Sequence, residues 1–239
     1  MKVWIIATRE LASFFDSLMA YIMLIAFLGF SGFFTWLYGS DIFFIREANL
    51  RVFFSVAYWT LFFFIPALTM RLFAEEKRTG TIEMILTKPI TDWQVVLGKY
   101  LSVLLLIVIA LILTLPYYIT VASIGPLDHG QALSGYLALL LMSATYIAIG
   151  LFASSVSNNQ IVAFLLALLI GILFHIIFDV LAASVKGGLG MVFAYLSLSG
   201  HFESISRGVI DTKHILYFIS ISFIALAATE AVITRRNAI

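Results

Sequence analysis

The 239-residue chain has no cysteine, which excludes disulfides, thiolate catalysis and cysteine-ligated metal sites. It is also poor in charge. Only 11% of its residues are Asp, Glu, Lys or Arg, against roughly a quarter in an ordinary soluble domain. With 62% of residues hydrophobic, a water-soluble fold of this length could not cover itself, so lipid is the expected solvent. No long polar stretch exists from which a separate soluble domain could be built. The net charge of +1 leaves no basic footprint for a nucleic-acid partner. Familiar chemical motifs are missing too. There is no H-E-x-x-H, no G-x-S-x-G and no G-x-x-x-x-G-K-[ST], so any ATP that drives this protein binds to another subunit.

What the chain does contain is apolar runs of spanning length. A transmembrane helix needs about 20 mostly apolar residues. Leu18–Tyr38, Val52–Phe73, Tyr100–Ala122, Leu133–Val156, Ile161–Leu181 and Ile215–Thr234 each qualify. The expected fold class is therefore all-α: a single polytopic membrane domain of six transmembrane helices over residues 1–239. Pro116 should bend or end the third span, because proline removes a helical hydrogen bond. Residues 1–17 do not read as a cleavable signal, since Lys2, Arg9, Glu10 and Asp16 are mixed with Trp4, Leu11 and Phe14. Their helical spacing suggests an interfacial helix on the membrane surface, or else an extension of the first span into water. Basic residues set the orientation. Nine (Lys2, Arg9, Arg71, Lys77, Arg78, Lys88, Lys99, Arg235, Arg236) fall on one side and five (Arg46, Arg51, Lys186, Arg207, Lys213) on the other. The richer side, with both termini, should be cytoplasmic.

Residues 182–213 form an outer stretch. Within it Leu189–Leu198 is apolar but too short to span, the length of a re-entrant segment. His175 and Asp179 lie four apart and share a helix face. That pair could be a proton relay or half of a metal site, or could make only local hydrogen bonds near the outer end; no third ligand has suitable spacing. Ala163, Ala167 and Gly171 recur every four residues on the fifth span. Such a stripe lets membrane helices approach closely, at an interface between two such chains or within one chain.

The inner loop Ala74–Lys99 is the most informative stretch. Gly80 permits a sharp break, Thr81 can cap a new helix, and Glu83 would sit in its favourable first turn. Ile82, Ile85 and Leu86 give an apolar face, and Lys88–Pro89 ends it. Thr91 or Asp92 can cap the next span. A short amphipathic helix at the membrane surface results. It could dock into a groove on a cytoplasmic partner or lie in the headgroups.

The run E-E-K-R-T-G-T-I-E-M-I-L-T-K-P-I resembles the first cytoplasmic loop of ABC-2-type transporter permeases. Glu75, Glu76, Gly80, Thr81, Glu83, Ile85, Leu86 and Pro89 carry the likeness. It implies that this segment is an ATPase-coupling helix, in a six-span fold with an N-terminal interfacial helix. A second run, residues 197–214, is similar to the outer segment of the gliding-motility permeases through His201, Phe202, Glu203, Gly208, Val209, Ile210 and Asp211. The resemblance implies an outer gate region at His201, Phe202, Glu203, Gly208 and Asp211, in a protein of the bacterial inner membrane. The partners it implies are cytoplasmic ABC ATPase subunits, which bind the ATP and Mg, a second permease chain, and a membrane-anchored subunit with a large extracytoplasmic domain. No cofactor is expected in this chain and it should not itself be an enzyme. The competing readings are a membrane enzyme using His175 and Asp179, or a secondary transporter. The latter would show repeated halves and ionisable residues at mid-membrane, and neither is visible.

Overall fold

The computed structural model describes residues 2–38, 48–81, 90–185 and 187–236, Arg236 by its backbone alone. Every regular element among these is helical, as an apolar solvent requires of backbone groups that have no water to bond. In chain order they are α1 (Lys2–Asp16), α2 (Met19–Trp36), α3 (Arg51–Thr69), α4 (Arg71–Thr79), α5 (Asp92–Leu113), α6 (Leu115–Ile124), α7 (His129–Val156) and α8 (Gln160–Ile172). A π-helical turn, Leu173–Ile177, leads into α9 (Phe178–Ser184). Then come α10 (Gly188–Leu196), α11 (Leu198–Ser206) and α12 (Thr212–Arg236).

Among the described residues six stretches are long and apolar enough to cross a membrane: Met19–Trp36, Arg51–Thr79, Asp92–Ile124, His129–Val156, Gln160–Ser184 and Thr212–Arg235. They coincide with the six apolar runs of the sequence, and all but the first extend beyond them. The extension narrows the inner loop. Residues 74–79 continue the second span as α4, and residues 92–99 already belong to α5.

The bundle is organised around α7. Of its apolar window 72% is buried inside the chain, against 22% for Gln160–Ser184 and 28% for Thr212–Arg235. Helices α3, α5, α8, α11 and α12 all pack on it. Small residues allow the close approach. A Cβ at Gly135 would run into the Phe54 ring, and one at Gly150 into Thr69. Meanwhile Leu165 and Leu169 of α8 and Phe223 and Ile224 of α12 are exposed, as lipid-facing side chains are.

Helix ends follow local chemistry. Thr91 caps α5 in a capping box with Gln94, Asp128 caps α7 by accepting from the Gln131 amide, and Asn159 caps α8. The third span breaks at Thr114, two residues before Pro116, where proline sits without cost in the first turn of α6. Helix α1 lies along the first half of α5. Ala7 and Phe14 are buried, and Gly98 gives room for Ile6. Leu189–Leu198 becomes most of α10, which folds back on α9. Gly187, at φ 85°, makes the turn, and a Cβ at Gly190 would strike the carbonyl of Val185.

Candidate functional site

At one end of the bundle α4 is held from three sides. Its start is a break in the second span at Met70. Pro66 has already removed one amide from the ladder. Ser154 of α7 then accepts hydrogen bonds from the amides of Phe73 (3.0 Å) and Ala74 (3.1 Å) and donates to the carbonyl of Met70 (2.8 Å). One hydroxyl thus satisfies three groups that a break leaves without helical partners. Lys77 donates to the carbonyl of Ser155, also on α7.

From the second side comes Lys99 of α5. Its side chain is 1% exposed, a rare state for lysine. Its ammonium lies 2.6 Å from Glu76 of α4 and 3.5 Å from Glu10 of α1, and 5.3 Å from the centre of the Phe73 ring. Three helices therefore meet on one buried cation. On the third side Arg71 lies over the Phe14 ring of α1, 4.6 Å from its centre.

Of the expected coupling residues, Glu76 is thus an internal anchor. Glu75 makes no side-chain hydrogen bond or ion pair among the described residues, which leaves its carboxylate available. Gly80 ends α4 in the left-handed region at φ 72°, as the reading of a sharp break requires. The Thr81 hydroxyl turns back to the carbonyl of Glu76. Glu83, Ile85, Leu86 and Pro89 lie outside the described residues. The C-terminal end of α12 joins this region through a 2.9 Å hydrogen bond from Thr234 to Asp92.

At the opposite end the π-helical turn places His175 in the bundle interior, 3% exposed. Its Nδ1 is 2.7 Å from the hydroxyls of both Tyr58 and Tyr146. Its Nε2 is buried without a partner. Asp179 turns elsewhere and accepts from the hydroxyls of Ser197 and Ser199. The two residues share a helix face but do not bond to each other. Among the described residues no group of three His, Cys, Asp or Glu could hold a metal ion.

The residues singled out within 197–214 fall into two groups. Phe202 stacks on Tyr58 with ring centres 4.3 Å apart, and Glu203 pairs with Arg207 at 2.7 Å. His201 packs on Tyr217 and meets His214, Nδ1 to Nδ1, at 2.6 Å. Its Nε2 faces the carbonyl of Tyr195 at 2.9 Å. A carbonyl only accepts, so Nε2 carries the proton and Nδ1 accepts from His214. Burial lowers the pKa of His201, which keeps this neutral form at pH 7. Gly208, at φ 97°, ends α11. Asp211 caps the start of α12 by accepting from the Lys213 amide, which lowers its pKa.

The stripe of Ala163, Ala167 and Gly171 is covered by the chain's own helices. A Cβ at Gly171 would lie 3.0 Å from Phe62 and 3.4 Å from Tyr146. The close packing that the spacing announces therefore occurs within one chain. A contact between two chains through the same residues would have to displace both rings.

Residues 53–190, more than half of the chain, match the family described as ABC-2 family transporter protein. The chain belongs to this family. As an ABC-2 family member it is the membrane component of a transporter, a subunit that is typically non-catalytic and works with ABC ATPase partners. The match runs from α3 into α10. It takes in the clamped helix α4 and the π-helical turn, and stops before residues 197–214. No curated protein gives a match.

Sequence reasoning missed the anchors on both sides. Nothing in the sequence around Ser154 marks it as an anchor, and Lys99 enters the sequence reading only among the basic residues that set the orientation. Tyr58 and Tyr146 carried no signal at all.

Proposed function

We propose that this ABC-2 permease receives the stroke of a cytoplasmic ATPase through the segment Glu75–Pro89 and passes it into the bundle through α4. The observation that carries this reading is the clamp. A surface loop that merely connects two spans has no need to be fastened by a buried cation and by a three-way serine. With both fastenings, a push on the end of α4 reaches α7, α5 and α1 together. The basic residues gathered at this end favour placing it, and both termini, in the cytoplasm of a bacterial inner membrane. Helix α1, with Trp4 and Ile5 exposed, then lies at the inner interface. The short helix α10 returns within the outer leaflet: nine helical residues rise about 14 Å, half of a roughly 30 Å core.

Six spans are few to line a pathway, which supports pairing with a second permease chain. The likeness of residues 197–214 supports a place beside the gliding-motility permeases, with a membrane-anchored extracytoplasmic partner. The work done is then export of a substrate or transmission of force.

The orientation has a direct test in this cysteine-free chain. Single cysteines at Arg78 and Arg207 should react with an impermeant thiol reagent from opposite faces of the membrane. Reaction of both from one face would overturn it. Coupling is tested by recovering the ATPase with a tagged permease. Gly80→Val strains a left-handed residue at the end of α4. Glu83→Lys reverses the charge at a position that carries the likeness to the coupling loop of ABC-2 permeases. Both variants should reach the membrane at wild-type levels and recover several-fold less ATPase activity. His175→Ala, at the far end, should recover the full amount. Equal recovery from all, or from none including wild type, would remove the proposal; loss only with His175→Ala would favour the membrane-enzyme reading.

A further inference from the structure

A cavity of about 410 Å³ opens at the end of the bundle remote from α4. Its size falls within the range of small-molecule sites, roughly 300–1,000 Å³. Its lining combines three kinds of group. Tyr58, Trp59 and Phe202 present aromatic rings. Asp179 and Glu203 present carboxylates. His175 lines it as well, and supplies a polar atom, Nε2, that is buried and unpartnered.

Each component narrows the occupant. The carboxylates call for positive charge. Asp179 is held only by serine hydroxyls and has no cation beside it among the described residues. Glu203 has Arg207, but that pair is exposed on both sides, 69% and 60%, where an ion pair is weak and readily exchanged. Tyr58 is itself stacked between His175 and Phe202, which leaves the Trp59 ring to favour a diffuse organic cation over a bare metal ion, because an indole face attracts alkylammonium groups. The histidine adds a polar atom: two tyrosine hydroxyls flank Nδ1, and Nε2 has no partner of its own. In the tautomer with the proton on Nδ1, a tyrosine oxygen accepts it and Nε2 keeps the lone pair that an ammonium N–H can use. An anionic ligand would meet two carboxylates, and a purely apolar one would leave Nε2 unpaired.

We propose that this cavity is a binding site for an organic ammonium group. Trp59, Ile176 and Val180, exposed apolar residues of the bundle surface, form part of its wall. The site is therefore within reach of an ethanolamine lipid headgroup as well as of a free amine. The inference needs neither ATP nor the ATPase, so it stands or falls apart from the coupling proposal.

The test uses the purified full-length chain in nanodiscs of phosphatidylglycerol, titrated with choline and ethanolamine. Its neutral comparison is 3,3-dimethylbutan-1-ol, which has the shape of choline without its charge. Saturable binding of an ammonium compound and none of the alcohol is expected. Asp179→Asn keeps the shape of the side chain and should weaken binding by about tenfold or more. Glu203→Gln, at an exposed position, is the second variant should the first disturb the Ser197–Ser199 contacts, and it should weaken binding several-fold. Native mass spectrometry of wild type extracted from mixed lipid forms the other arm. Retained phosphatidylethanolamine that is lost in Asp179→Asn identifies a headgroup site. Equal binding of the alcohol, unchanged binding in both variants, or neither choline, ethanolamine nor phosphatidylethanolamine bound would overturn the proposal.

Discussion

Lys99→Met should unfold the α4 end of this protein more severely than any substitution on its surface. Methionine fills much of the lysine's volume and suits an apolar site, so the loss is one of charge. Glu76 and Glu10 are left facing each other beside the Phe73 ring, with one oxygen of Glu76 already buried and unpartnered. Removing one partner of a buried ion pair costs about 3–5 kcal/mol, because the remaining charge has nothing to offset its desolvation. For a chain of this size that is a fall of roughly 10 °C in Tm. Glu76→Gln added to Lys99→Met should recover a large part, since it removes one of the stranded charges. A double-mutant cycle of thermal unfolding in mild detergent measures the coupling. Additive losses, or a Lys99→Met protein as stable as wild type, would mean that the three helices are held by apolar packing alone.

This clamp shows where the sequence could and could not be read. The spans were legible because lipid imposes one requirement on composition, a long apolar run, and each run carries it locally. Pro116 and the Thr91 cap were legible for the same reason: their effects reach only a few residues along the chain. The break at Met70 was not. It depends on Ser154, some eighty residues away, and serine in a membrane helix has many uses. The anchoring role of Lys99 was not legible because a lysine at the edge of an apolar run normally marks the water boundary. Here the helix begins seven residues earlier, at Asp92, and carries the lysine inside. The small-residue stripe announced close packing correctly, but spacing does not say whose helix comes close; Phe62 and Tyr146 of the same chain do. His175 drew notice as an ionisable residue in a span. Its partners Tyr58 and Tyr146 lie 117 and 29 residues away, and only the fold and its π-helical turn bring them to one nitrogen.

The other large effect is expected at Gly150, where two opposing magnitudes decide the sign. Replacing a mid-helix glycine with alanine normally favours the helix by about 1 kcal/mol. At Gly150 the new methyl group would overlap the Thr69 hydroxyl and lie 2.8 Å from the Thr69 Cβ. The hydroxyl can rotate away, but the Cβ moves only with the backbone, so α3 and α7 must separate. Overpacking of this kind costs about 1–3 kcal/mol, which exceeds the helical gain. Gly150→Ala should therefore destabilise the protein, and Gly29→Ala should not, since nothing lies within 4 Å of a Cβ there. Thr69→Gly in the Gly150→Ala background removes that Cβ and should restore part of the loss. The Thr69 hydroxyl bonds only to carbonyls of its own helix, so removing it leaves no partner stranded across the interface. Thr69 is also the last residue before the break at Met70, so a separation of α3 from α7 there pulls on the bonds that Ser154 makes to α4. Gly150→Ala should then lower ATP-driven activity beyond what its loss of stability explains, with Thr69→Gly recovering both together. Thermal unfolding and ATPase stimulation measured on the same four proteins decide it: stability that rises in Gly150→Ala, or activity that stays intact while stability falls, would show that α3 and α7 do not carry the movement of α4 at this crossing.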